Sequence, residues 1–93
     1  ELLRQTAPAD TIYVADGGDT AYFAATGLRA SEKSGLIVAA GGLFGCLGTG
    51  LPFGIAAKLA RPEQTVIVVS GDGSFGLNAM EFDPAVRHHI PIV

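Results

Sequence analysis

Apolar positions fall in short runs, each closed by glycine, aspartate or proline. Glu1 to Thr6 has helical composition, and Pro8-Ala9-Asp10 ends it. Thr11 to Ala15 is a short apolar run of the length of a buried strand. Asp16 to Thr20 reads as a turn leading into a helix over Ala21 to Ala25, with Gly27 as its C-cap. Arg29 to Gly35 is polar and predicts a surface loop, and Leu36 to Ala40 a short extended segment. A glycine-dense loop, Gly41 to Gly50, precedes a helix over Leu51 to Ala60, with Pro52 in its first turn. Arg61 to Gln64 connects to a strand at Thr65 to Ser70. Gly71 to Leu77 then predicts a loop, and Asn78 to His88 a helix, with Asn78 as N-cap and Glu81 three residues on. Pro84 should kink that helix or cost it a hydrogen bond. A last strand is expected from Ile90.

Strands alternating with helices predict an α/β fold: a parallel sheet with helices on both faces. Ligands of such sheets bind beyond the carboxyl ends of the strands. The turns after Ala15 and after Ser70 both lie at such ends, so they are expected to converge on one phosphate group.

Composition narrows the function classes. The chain has 93 residues, 48% of them hydrophobic, and a formal charge of -3, which suits one small globular domain. Nothing basic invites nucleic acid. No apolar run reaches membrane-spanning length, and no basic-then-apolar leader opens the chain. Cys46 is the only cysteine, which excludes a disulfide framework within these residues and makes a reducing cytoplasm the expected setting. Glu1 in mid-helix and a closing Ile90-Pro91-Ile92-Val93 read as a piece of a longer polypeptide, truncated at both ends.

The chemistry concentrates at Thr65-Val66-Ile67-Val68-Val69-Ser70-Gly71-Asp72-Gly73-Ser74. An apolar strand delivers Asp72 to the sheet edge between two glycines that let the backbone approach a ligand. A carboxylate repels phosphate unless a divalent cation bridges the two, so the pattern suits a metal-bound phosphate. Gly71 to Gly76 also satisfies G-x-G-x-x-G, the dinucleotide-binding spacing. There, however, pyrophosphate rests on bare amides, and a carboxylate between the first two glycines would crowd it. An ordinary strand-to-helix turn uses the same residue types.

Gly71-Asp72-Gly73-Ser74 resembles the opening of the thiamine diphosphate motif, which closes further along with Asn-Asn. Gly45-Cys46-Leu47-Gly48-Thr49-Gly50-Leu51-Pro52 is similar to the aminopyrimidine loop of acetolactate synthase-like enzymes, a group that includes oxalyl-CoA decarboxylase, 2-hydroxyacyl-CoA lyase and benzaldehyde lyase. Met80 to Asp83 and Val86 to Val93 also look like that group. The resemblance implies that residues 1–93 are most of an incomplete thiamine diphosphate-binding domain. It implies Asp72 as a Mg²⁺ ligand, with Gly71, Gly73 and Ser74 on the diphosphate and the Asn-Asn half of the motif past Val93. Gly18, Asp19 and Thr20 match the earlier turn that touches the diphosphate, with Asp19 departing from the amide or neutral residue common there. Leu47 matches the apolar wedge under the bent cofactor and its amide donates to the ring, while the Gly45 carbonyl accepts from the pyrimidine amino group.

The same resemblance implies carbon–carbon bond formation or cleavage beside a carbonyl, acetolactate synthase-like, with 2-hydroxyacyl-CoA lyase or oxalyl-CoA decarboxylase activity as alternatives. The substrate would be a 2-oxo acid or an acyl-CoA. The pyrimidine-binding domain of a second subunit would supply the activating glutamate, in a homodimer or homotetramer. No residue here matches that glutamate, so no catalytic residue is expected in these 93. A dinucleotide oxidoreductase and a non-catalytic module remain the other hypotheses. Elsewhere the residues read plainly: His88 and His89 as surface histidines at a helix end, Cys46 as small packing, and Glu81 as a cap partner. Gly50 and Gly54 are spaced for close packing, the aromatics fill core or interface, and Arg29, Glu32 and Lys33 form a solvated face.

Overall fold

The computed structural model describes residues 2–39 and 44–93. Helix α1 (Leu2–Thr6) leads to strand β1 (Ile12–Asp16), then α2 (Asp19–Gly27), β2 (Gly35–Val38), α3 (Gly50–Ala60), β3 (Val66–Ser70), α4 (Asp72–Asn78), a 3₁₀ turn (Ala79–Glu81) and α5 (Phe82–Arg87). The three strands form one parallel sheet in the order β2-β1-β3. In register, Ile12 lies beside Gly35 on one side and Val66 on the other, and Asp16 beside Ser70.

β1 is central, and all five of its residues are buried, which is why it reads as an unbroken apolar run. Alternate side chains feed opposite faces. Ile12, Val14 and Val66 form one cluster with Ala57 of α3, and Tyr13, Ile67 and Leu28 form another with Ala24 of α2. The helices therefore cover both faces, as predicted. The sheet order runs from β1 outward to β2, then back across β1 to β3. This reversal opens a crevice between the carboxyl ends of β1 and β3, where ligands of such sheets bind.

Gly50 and Gly54 do pack closely, against the sheet. A Cβ on Gly50 would stand 2.5 Å from Asp16 Cβ, and one on Gly54 2.5 Å from Val68 Cγ2. At the far edge of β3, Val93 N donates to the Val66 carbonyl at 3.0 Å and Val68 N to the Val93 carbonyl at 2.7 Å. These two bonds lie along the β3 edge, but 90–93 do not form the regular strand expected from Ile90.

The sequence reading fails at several places. Gly71 to Leu77 is not a loop: α4 starts at Asp72, with Gly71 as an extended N-cap and Phe75 N donating to the Gly71 carbonyl at 2.9 Å. Two glycines lower the helix propensity, but packing overrides it, since Ser74 and Leu77 rest on Gly48. The helix expected from Asn78 to His88 breaks into the 3₁₀ turn and α5, which places Pro84 in a first turn where it disrupts no interior bond. Asn78 makes no side-chain cap, so Glu81 is not its cap partner. Helix α2 begins at Asp19, two residues earlier than expected, and its cap falls on Leu28 rather than Gly27. Ala40, Gly41 and Gly42 of the expected extended segment and loop lie outside the described residues, as does Leu43.

Candidate functional site

Two strand-to-helix turns meet at the carboxyl end of the sheet. Gly71 N donates to the Asp16 carbonyl at 3.3 Å. Gly17 has φ +111°, and a Cβ there would sit 3.3 Å from Gly71 N and 3.4 Å from Ser74 Oγ. Only glycine fits so tight an approach with that backbone. Thr20 of α2 closes on the other turn, its Oγ1 3.1 Å from where a Cβ on Gly71 would stand. Gly17 and Thr20 thus bring the first turn against Gly71 and Ser74 of the second.

The polar groups differ in how they are partnered. Ser74 is 3% exposed, and its Oγ has no hydrogen-bond partner among the described residues. An orphaned hydroxyl of this kind is costly unless a ligand satisfies it. Asp72 is exposed in the first turn of α4, with no ion pair to any described residue. Asp72 and Ser74 line one cavity of about 440 Å³ with Asp16, Leu51 and Asn78. Beside Gly73 and Gly18 a Cβ would meet nothing within 4 Å, so bare backbone faces open space on both turns. Asp19 is exposed in the first turn of α2.

A second cavity of about 340 Å³ lies across Gly17 and Gly18 and is lined also by Tyr22, Gly45 and Leu47. Leu47 is 45% exposed, so an apolar side chain projects at this rim. Gly45 has φ +56° and open space where a Cβ would go. The loop carrying both is held from below. Asn78 Nδ2 donates to the Gly48 carbonyl at 2.6 Å, and a Cβ on Gly48 would strike Leu77 Cβ at 2.7 Å.

The residue chemistry fits a diphosphate with a divalent cation: a buried hydroxyl with no partner among the described residues, bare glycine backbone and an exposed carboxylate all lie on the two turns that meet here. Among the described residues no three His, Cys, Asp or Glu side chains gather to hold a metal.

Two residues at the site escaped the sequence reading. Asp16, taken as a turn residue, is 1% exposed; its Oδ1 accepts from Gly17 N at 2.8 Å and its Oδ2 from Gly50 N at 2.9 Å. Its signal was visible, since an apolar strand runs into Asp-Gly there much as it does near Asp72. Asn78 holds the glycine loop, and no local pattern announces a bond across 30 residues. Cys46 is exposed rather than packed. Tyr22, Phe23 and Phe44 are exposed too and fill no core of this chain. His88 and His89 are exposed, as expected, and His89 has φ 52° past the end of α5.

Residues 16–93 match the family described as thiamine pyrophosphate enzyme, C-terminal TPP binding domain. The chain is 42% identical to human 2-hydroxyacyl-CoA lyase 2 over 94 aligned residues, which cover 100% of the chain and 14% of that protein. It is 52% identical to acetolactate synthase large subunit IlvG of Mycobacterium tuberculosis over 52 residues, 56% of the chain and 10% of that protein. It is 35% identical to the large subunit of acetolactate synthase isozyme 2 of Escherichia coli over 94 residues, 98% of the chain and 17% of that protein. The chain therefore spans less than a fifth of the length of each of these relatives.

Proposed function

The chain belongs to the thiamine pyrophosphate enzyme family through its C-terminal TPP-binding domain, and from that premise we propose that it forms the diphosphate side of a Mg²⁺-dependent thiamine diphosphate site. The observation that carries this is the orphaned Ser74 hydroxyl, buried where two bare glycine turns meet beside the free Asp72 carboxylate.

Each residue then has a task. Asp72 would hold Mg²⁺, and with one protein carboxylate the remaining positions go to diphosphate oxygens, water and groups outside these residues. The Ser74 hydroxyl and the Gly71 and Gly73 backbone would bind diphosphate oxygens from one turn, and Gly18 with Thr20 from the other. Asp19 is exposed and carries a like charge, so it contributes backbone there rather than its side chain. Across the rim, Leu47 would support the bent cofactor while the Gly45 carbonyl and the Leu47 amide orient the aminopyrimidine. When bound, the cofactor supplies a thiazolium carbanion and an electron sink for chemistry beside a carbonyl. The chain's own part is to bind, orient and neutralise. The activating carboxylate would come from a pyrimidine-binding domain of a second subunit.

The reaction we propose is the making or breaking of a carbon–carbon bond next to a carbonyl. Similarity across the whole chain to 2-hydroxyacyl-CoA lyase 2 favours an acyl-CoA substrate. The higher identity to an acetolactate synthase over a shorter span keeps a 2-oxo acid as the second reading. The dinucleotide alternative loses its footing, because the glycines it relied on fall within the matched family domain.

Calorimetric titration of the full-length protein with thiamine diphosphate, with and without Mg²⁺, tests the proposal. Metal-dependent binding that disappears in Asp72→Ala is the expected result, and no binding under either condition would sink it.

A further inference from the structure

Asp16 is the one carboxylate buried among the described residues, and each of its oxygens accepts a backbone amide. Oδ1 holds the Gly17 amide in the first turn at 2.8 Å. Oδ2 reaches 34 residues along the chain to the Gly50 amide at 2.9 Å, where the glycine loop becomes α3. Its main-chain carbonyl takes the Gly71 amide of the second turn. Three cofactor-facing segments thus meet on one residue.

The contact with α3 is built in on both sides. Thr49, the N-cap of α3, turns its hydroxyl back to the Cys46 carbonyl at 3.4 Å and makes no side-chain cap. The first amide of α3, which an N-cap side chain does not reach, is instead taken by Asp16, whose negative charge suits a helix start. Gly50 leaves no gap, because any Cβ there would overlap Asp16.

Resting on the function proposed above, we infer that Asp16 is a positioning residue: it sets the spacing between the turn that meets the diphosphate and the loop that meets the aminopyrimidine. A cofactor held at both ends needs that spacing before it arrives, since a loop already in place need not be ordered on binding. A ligand held at one end does not need it.

That difference separates positioning from mere support. Affinities for thiamine diphosphate and for inorganic diphosphate, each with Mg²⁺, should be measured on the full-length wild type and on Asp16→Asn. Asparagine keeps the volume but offers one acceptor and one NH₂, so one of the two amides loses its partner and the bridge opens. Thiamine diphosphate affinity should fall about tenfold or more, as expected for a lost charge-assisted bond, while inorganic diphosphate stays within about threefold. Equal loss for both ligands, or no loss for either, overturns the inference. Hydrogen exchange on the cofactor-free wild type gives a check that needs no variant: the Gly17 and Gly50 amides should both be protected, and free exchange at either overturns the bridge. A wild type that binds no thiamine diphosphate removes the proposed function and the inference with it. A wild type that binds, with an Asp16→Asn variant indistinguishable from it, removes the inference alone.

Discussion

Two aspartates close two parallel strands of the same sheet, and their fates are opposite. Asp16 pairs with Ser70 in register, so it is still part of the sheet and is walled in by α3. Asp72 comes two residues beyond Ser70, past the last pairing, where the chain has already turned into α4. The first has both oxygens engaged by backbone amides, and the second stands exposed with no ion pair among the described residues. A shift of two residues along the strand axis separates a carboxylate that organises the site from one free to take a cation. Substituting each should therefore perturb the cofactor-free protein to a different degree.

The largest effect should come from the free one. Asp72→Ala removes the carboxylate proposed to hold Mg²⁺ from this side and weakens the bridge to the diphosphate. Metal-dependent affinity should drop at least ~100-fold, in line with removal of a charge contact made only with ligand. Cofactor-free stability should move by less than ~0.5 kcal/mol, as for a surface substitution. Calorimetry paired with urea unfolding reads both, and a large loss of stability would erase the contrast between the two aspartates.

Asp16→Ala should reverse that ranking in the cofactor-free protein. Two buried amides, at Gly17 and Gly50, lose their acceptor together. At ~1–3 kcal/mol for each donor left unsatisfied, partly relieved by water, the cost should be about 2–4 kcal/mol. The shift in urea midpoint measures it, and a change below ~1 kcal/mol would mean that the amides find other partners.

The glycines beside these aspartates sharpen the comparison. Gly17→Ala meets φ +111° and the Gly71 amide at 3.3 Å, so it should destabilise by about 1–3 kcal/mol. Gly73→Ala falls inside α4 where a Cβ meets nothing, and alanine is the better helix former. It should stabilise the cofactor-free protein by about 0.5–1 kcal/mol while weakening cofactor affinity, because the methyl fills the diphosphate's approach. Thermal unfolding of the two variants should therefore shift in opposite directions.

How much of this was legible depends on the range of each signal. The strands and α3 were readable, because runs such as Val66 to Val69 and Ile12 to Ala15 need no distant partner to declare themselves. Alternating elements then gave the parallel sheet and the meeting of its turns. Helix α4 was misread because Gly71, Gly73 and Gly76 argue locally for a loop, and the contacts of Ser74 and Leu77 with Gly48 that override them lie far off in sequence. Asn78 misled in the same way, since its helix-cap pattern is local and its bond to Gly48 is not. The two aspartates show the limit most clearly. The sequence places each at a strand end beside glycine, but whether a carboxylate is buried or bare follows from the Asp16–Ser70 register, which no single strand reveals.

Ser74→Ala should give the smallest effect and the most diagnostic sign. The hydroxyl is buried without a partner among the described residues, so the cofactor-free protein carries its desolvation cost with nothing in return. Deleting it should leave stability unchanged or raise it by up to ~1 kcal/mol. With thiamine diphosphate and Mg²⁺ present the order should reverse, since the variant forgoes a bond worth ~1 kcal/mol, roughly a fivefold loss of affinity. Melting each protein with and without cofactor reads both signs in one experiment. A variant less stable in both states would mean that Ser74 already has a partner in the cofactor-free protein. Its buried oxygen would then no longer mark the place where ligand completes the turn that Asp72 begins.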